Sequence, residues 1–277
     1  MRFSLVPLAL MLTAAAQSDQ VEDGTLRCGT EPANATVASD RFPAEQLERR
    51  ARRPINIDVY MHFVAPDDTY PERTLRRAAQ RQLDVLNDAF RPSGISFTMP
   101  DVLFWVDPAY STLRIGSNLV SLIQKYRRGG VDTLNLFVPM SQGGALGSGA
   151  CVSFDDVFTR RSVDQTADGC SVSSMTLPGS ISARYNEGKT AVHEVGHWLG
   201  LLHTFDGGCD GPGDHISDTP AQAYATFTCD EGQDTCPSQP GLDPIHNYMG
   251  YSPDSCMTEF TRHQSQIMHY SWNNFRK

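Results

Sequence analysis

The sequence predicts an α/β fold that passes into an irregular, cysteine-stapled lower part. Three observations predict it. Between residues 54 and 138, alternating β-branched stretches take turns with helix-periodic ones, the pattern of a largely parallel sheet with right-handed crossovers. Residues 193–203 read His-Glu-Val-Gly-His-Trp-Leu-Gly-Leu-Leu-His, which sets metal-ligating side chains at helical spacing. Residues 204–246 then lose periodicity and fill with Gly, Asp, Pro and Cys. A loop that long inside a compact domain needs cross-links.

The elements follow in order. Residues 1–16 read as a signal peptide: Arg2 supplies the positive end, Phe3 to Leu12 the apolar stretch, and Ala14 to Ala16 a small-residue cleavage site. Neither this stretch nor any later one is long enough to span a bilayer, so no membrane insertion is expected; an uncleaved anchor is the alternative. Residues 17–53 lack apolar periodicity, carry a glycosylation acceptor at Asn34, and end in Arg-Arg-Ala-Arg-Arg before Pro54. We read them as a propeptide cut near Arg50 or Arg52, the alternative being a flexible tail. The catalytic domain then spans 54–277, with an upper part to about residue 203 and a lower part from 204.

Ile55 to Val64 alternates as a strand, and Pro71 to Phe90 repeats Leu75, Ala78, Ala79, Leu83, Val85, Leu86 and Phe90 at helical spacing. Ile95 to Val106 reads as a second strand interrupted by Pro100. Leu119 to Tyr126 is helical, Thr133 to Val138 a short apolar strand, and Ser171 to Leu177 another strand. The helix carrying the histidines is expected from Asn186 or Glu187 to about Leu199. Thr261-Arg262-His263-Gln264 is a capping-box pattern opening a final helix through Trp272.

At 277 residues, 40% hydrophobic and 20% charged, the chain has ordinary globular composition, which excludes a disordered or collagen-like protein. A net charge of −9 excludes a phosphate-binding surface, and no nucleic-acid partner is expected. Secretion makes the cysteines disulfide candidates. There are seven, at 28, 151, 170, 209, 229, 236 and 256. Spacing alone leaves their connectivity open. Cys28 stands apart from the rest in a polar segment.

The chemistry sits in the 193–203 run. His193 and His197 lie one helical turn apart on one face. His203 could not join them on a continuing helix, where it would be about 80° off that face. Gly200 resolves this by taking the left-handed conformation that ends a helix and turns the chain back. Three histidines with one open position are the layout of a catalytic zinc site. Glu194 is then held beside that position, where a general base for a zinc-bound water belongs.

This extended motif, with His203-Thr204-Phe205-Asp206-Gly207-Gly208-Cys209, Asp218-Thr219-Pro220, Asn247-Tyr248-Met249-Gly250-Tyr251 and Asp254-Ser255-Cys256, resembles the metzincin metallopeptidases. Within them it is similar to the pappalysins, chiefly their secreted fungal and microbial branch, over about residues 54–275. The resemblance implies a metzincin-like zincin: a twisted mixed sheet with a backing helix and an active-site helix above a cleft, and an irregular part with a C-terminal helix below. It implies that Met249 forms an apolar floor under the histidines and that Tyr251 stabilises the oxyanion. Gly250 stands where many relatives carry Asp, a departure that removes no ligand. The bridges implied are Cys209–Cys236 and Cys229–Cys256, leaving Cys151–Cys170. Cys28, in Arg-Cys-Gly-Thr, resembles the cysteine switch of metzincin zymogens, its thiolate standing in for the water on zinc.

Further expectations follow from the same likeness. The glycine-rich segment before Cys151 would be the edge strand that binds peptide by strand addition. Asp254 falls at the base of the pocket after the scissile bond and would favour Lys or Arg at P1′. Asp206, Asp210, Asp214 and Asp218, among glycines, suit a structural calcium ion beside the one catalytic zinc. The function expected is a secreted zinc endopeptidase acting on proteins or peptides, with a monomer as the default state. The alternatives are a narrow processing protease and a zinc-fold binding or toxin-like protein.

Overall fold

The computed structural model describes residue 28 and residues 53–112, 118–140, 150–152, 165–211 and 213–277. The segment read as a signal peptide (1–16), Asn34, the basic run at 49–52 and the glycine-rich 141–149 lie outside the described residues.

Ten regular elements appear among the described residues. They are β1 (Ile55–Ala65), α1 (Glu72–Phe90), β2 (Ile95–Thr98), β3 (Val102–Val106), α2 (Leu119–Tyr126), β4 (Thr133–Pro139), β5 (Ala150–Val152), β6 (Gly169–Ser171), α3 (Lys189–Trp198) and α4 (Arg262–Ser271). The sheet runs β2-β1-β4-β6-β5, with β3 also paired to β1. All pairings are parallel except β5 with β6. The α/β fold with a mixed sheet is therefore the architecture observed.

Burial explains the layering. Along β1, Ile57, Val59, Met61 and Phe63 pack with Leu75, Ala79, Leu86 and Phe90 of α1 and Val192 and Val195 of α3. The alternate residue Val64 packs instead with Phe137 and with Leu122 and Ile123 of α2. A strand covered on both sides must be apolar throughout, and all seven residues of β4 are buried. The one amide among them, Asn135, is used. Its Oδ1 accepts from His62 Nε2 (3.0 Å) and Arg128 N (2.8 Å), and its Nδ2 donates to Arg128 O.

Three expectations need correction. The strand from Ile95 to Val106 is two short ones, both beside β1, because Pro100 between them has no N–H to give a ladder. Of Ser171 to Leu177 only the first residue is in a strand. Ser173 Oγ accepts from Met175 N and Ser173 O accepts from Thr176 Oγ1 (2.8 Å), which turns the chain into a 3-10 segment instead. The active-site helix starts at Lys189 rather than 186 or 187, since Gly188 is left-handed (φ 81°) and closes off anything before it.

From residue 199 to 261 the chain is irregular apart from one 3-10 turn at Asp254–Cys256. Cys209 is bonded to Cys236 and Cys229 to Cys256. Cys170 is disulfide-bonded too, and its register partner across the β5–β6 ladder is Cys151. The last helix opens with the capping box: Thr261 Oγ1 accepts from Gln264 N and Gln264 Oε1 from Thr261 N. It ends at Ser271 and widens into a π turn over Trp272–Arg276.

Candidate active site

The site is built on α3. Its start is fixed from two sides. Gln82, buried in α1, donates from Nε2 to Gly188 O (3.0 Å). Asp254, buried in the lower part, accepts at Oδ2 from Glu187 N (2.9 Å) and Lys189 N (3.2 Å). A carboxylate satisfying the first N–H groups of a helix also meets the positive end of its dipole. A side chain at position 188 would collide with Gln82 Oε1 and Pro178 Cγ, both 2.8 Å from where its Cβ would sit. Glycine is required there by space and by backbone conformation together.

The helix ends in a turn that brings the third histidine back. Gly200 has φ 91°, its N–H donates to His197 O (2.8 Å), and Leu201 N donates to Gly196 O (3.0 Å). This is the left-handed glycine cap, which reverses the chain after the last helical turn. His193, His197 and His203 are all buried, and His197 Nε2 lies 3.1 Å from Nε2 of each of the others.

Backbone carbonyls set the tautomers. His193 Nδ1 donates to Tyr248 O and His197 Nδ1 to Leu201 O, both at 2.7 Å. The protons sit on Nδ1, so each Nε2 presents a lone pair to the others (the tautomer is inferred from these partners). Such an arrangement of acceptors repels itself without a cation. Burial, with His203 adding to it, holds His197 well below the usual histidine range, which keeps it in the neutral form a metal requires. The donor set therefore fits zinc. His203 differs from its neighbours in having a carboxylate near its Nδ1: Asp206 Oδ2 lies 3.5 Å away and accepts from His203 N at 3.0 Å.

Around this cluster stand the other expected residues. Glu194 is fully buried on the same turn of α3. Tyr251 is buried with its hydroxyl 3.2 Å from His203 Nε2, and its carbonyl accepts from Tyr185 OH. Cys28 is buried with Sγ 3.5 Å from His197 Nε2. Among the described residues, Cys28, His193, His197 and His203 form the one group of His, Cys, Asp and Glu able to hold an ion, their ligand atoms all within 4.8 Å.

Met249 is buried against the helix at Gly196, in a turn where Met249 N donates to Asn247 Oδ1 and Gly250 N to Asn247 O. A methyl added at Gly196 would run into Met249 Sδ. The helix and the turn touch there backbone to side chain.

The four loop aspartates do not converge on one point. Asp206 serves His203. Asp218 accepts from Thr261 Oγ1 (2.7 Å) and His263 N (2.9 Å) at the start of α4. Asp210 lies exposed near Cys209. Asp214 is buried, with Oδ1 accepting from Ile216 N and its carboxylate beside Thr219. Burial, reinforced by the charges of Asp206 and Asp218, pushes its carboxyl up to about 8.

Sequence reasoning missed Gln82, Gly188 and Gly196, and read Asp206 only as a calcium ligand. A signal existed for Gly196. Glycine costs a helix interior about 1 kcal/mol relative to alanine, and one retained there marks a close approach.

Comparison with known proteins is consistent with this geometry. The family described as pregnancy-associated plasma protein-A, peptidase family M43, matches residues 175–273. An extracellular metalloprotease of Neurospora crassa is 43% identical over 230 residues, covering 82% of this chain and 78% of that one. Another, of Colletotrichum graminicola, is 39% identical over 284 residues, 99% of this chain and 98% of that one. Among solved structures, mature mirolysin of Tannerella forsythia in complex with a cleaved peptide aligns with a TM-score of 0.65 and 25% identity, covering 78% of this chain and 90% of that one. A promirolysin mutant of the same organism, at 24% identity, shares the fold with a TM-score of 0.67 over 83% of this chain and 85% of that one.

Proposed function

The chain is a metalloprotease of the pappalysin family, and on that premise we propose that it is a secreted zinc endopeptidase made as a latent precursor. One observation carries the reading: three buried histidines whose Nε2 lone pairs converge while carbonyls hold two of the Nδ1 protons. His193, His197 and His203 would hold the zinc. Zinc bound there supplies Lewis acidity and lowers the pKa of a bound water to about 7.

The chain's own residues do the rest. Glu194 takes the proton of the attacking water and returns it to the departing amine. Tyr251 donates its hydroxyl hydrogen bond to the oxyanion that forms on the scissile carbonyl. Met249 and Gly196 keep the back of the helix apolar and tightly packed. Asp254 accounts for a preference for Lys or Arg at P1′, a reading that its burial in the lower part supports. Its contacts with Glu187 N and Lys189 N mean that the same carboxylate also caps the helix.

Latency rests on Cys28. Its thiol sulfur lies within the ligand cluster, 3.5 Å from His197 Nε2, where the catalytic water would otherwise stand. Residues 1–16 are then the signal peptide, 17–53 the propeptide and 54–277 the catalytic domain. Calcium is assigned to the loop around Asp214. The Asp214 carboxylate is buried there beside Thr219, and the two offer the kind of oxygen ligands a hard cation takes.

The test is casein or gelatin hydrolysis by the mature chain, with and without a zinc chelator. Hydrolysis that stops with the chelator and returns with zinc is the expected result. A chain that binds zinc yet cleaves neither substrate would favour the narrow processing protease or the non-proteolytic alternative. A peptide library reads the P1′ preference directly, and Cys28→Ala should give a precursor active before any cut. Calcium removal by a zinc-sparing chelator should lower Tm; an unchanged Tm removes calcium from the account.

A further inference from the structure

We propose that Arg276 is a positioning residue for the metal site, acting with Asp168 as a side-chain cap on the active-site helix. The inference rests on the zinc reading of the three histidines given above.

The last four carbonyls of a helix lack intrahelical partners. In α3 these are Val195, Gly196, His197 and Trp198. The turn through Gly200 satisfies the first three: Leu199 N donates to Val195 O, Leu201 N to Gly196 O and Gly200 N to His197 O. Trp198 O, the last, accepts instead from Arg276 Nε at 3.1 Å, a residue from beyond α4. The cap is thus completed from a distant part of the chain.

The same guanidinium is held on every side. Its Cζ lies 3.6 Å from the centre of the Trp198 ring. Nη1 donates to Asp168 Oδ2 (3.0 Å) and Val131 O (3.0 Å), and Nη2 to Asp168 Oδ1 (3.1 Å). Asp168 Oδ1 in turn accepts from Trp198 Nε1 (3.0 Å), and Arg127 adds a donor to the Asp168 backbone carbonyl. Arg276 is 1% exposed and Asp168 is fully buried.

This network does more than close the core. A cation at the C-terminal end of a helix meets the negative end of its dipole. Trp198 follows the ligand His197 directly, and the turn leading to His203 begins at the residue after it. His197 Nδ1 also donates to Leu201 O within that turn. Fixing Trp198 by its carbonyl, its indole N–H and its ring face therefore fixes the frame from which two of the three ligands project. A lysine cannot replace the arginine, because only the planar fork reaches the Trp198 carbonyl and both Asp168 oxygens at once.

The experiment measures zinc affinity of the full chain by competition with a chromophoric chelator, beside Tm and proteolysis. Arg276→Lys, Arg276→Gln and Trp198→Phe are compared with the parent. Trp198→Phe keeps an aromatic ring and the backbone carbonyl but removes the indole donor to Asp168, so it covers the case in which the arginine variants fail to fold. We expect zinc binding weakened on the order of 10-fold or more in each folded variant, the scale seen when a ligand's support is lost. Zinc affinity within threefold of the parent, whatever the change in Tm, assigns the cluster to fold stability alone and overturns the proposal. A parent that binds no zinc would overturn the proposed function instead, so the two failures are distinguishable.

Discussion

The two halves of this protein reach the active site by different means. The upper half positions His193, Glu194 and His197 on a helix packed against a sheet, where regular backbone bonding and apolar burial set every angle. The lower half delivers Met249, Tyr251 and Asp254 on chain that is almost all irregular, fixed by disulfides and side-chain-to-backbone hydrogen bonds. The difference teaches that precision at a site does not need secondary structure. It needs the polar groups beside the ligands engaged, and cross-links where apolar burial is thin.

The sharpest way to separate the halves is through their chemistry. Glu194→Gln, in the upper half, should bind zinc normally yet lose about 10²–10⁴-fold in turnover, since it removes only the proton acceptor proposed above. Metal content and kcat on one preparation check this. Tyr251→Phe, in the lower half, should lose about 10²-fold, in keeping with the loss of one oxyanion donor. If Tyr251→Phe were the more damaging, the division of labour would be the reverse of the one described.

Stability offers the next test. Replacing both Cys229 and Cys256 by serine opens one lower-half loop and should cost about 3 kcal/mol, read from urea denaturation. Hydrogen exchange should speed up in residues 204–261 and stay slow in β1 and β4. Asp206→Asn is subtler. It leaves the fold intact and weakens the carboxylate facing His203, so zinc affinity should fall about 10-fold.

The halves should also differ in a pair of opposite pH responses. Burial holds His62, in the upper half, at about 4 against an ordinary 6.5. Its contribution to stability is full above 6.5 and is lost as pH falls toward 4. Asp214, in the lower half, is pushed up to about 8 from 3.8. Its contribution is full below 3.8 and is lost as pH rises through 8, in protein stripped of calcium. Thermal scans should therefore show Asp214→Asn flattening the fall in stability between about pH 4 and pH 8.

How much of this could be read from residues alone also divides at the boundary. In the upper half, burial on two faces imposes a period, so β1, α1, α2 and β4 are legible within a residue or so. The histidine run was legible for the same reason, and Gly200 because its conformation is so rarely available to other residues. Below, no period exists. Asp218 looks like any loop aspartate until Thr261 and His263 are seen bonded to it. Asp206 gave no sign that it faces His203, and Asp254 none that it caps a helix far from it in sequence. Long-range side-chain-to-backbone bonds leave no periodic mark, and Arg276 with Asp168 is the extreme case.

The contact between Gly196 and Met249 has a consequence for how such sequences can change. Met249 Sδ occupies the space a Cβ at position 196 would need, so residue 196 cannot gain a side chain while the methionine stays in place. In a library randomising both positions, active clones should keep glycine at 196 wherever methionine stays at 249. Any alanine at 196 should arrive only with a shorter side chain opposite. The two positions behave under selection as one inherited unit, written in two places along the chain.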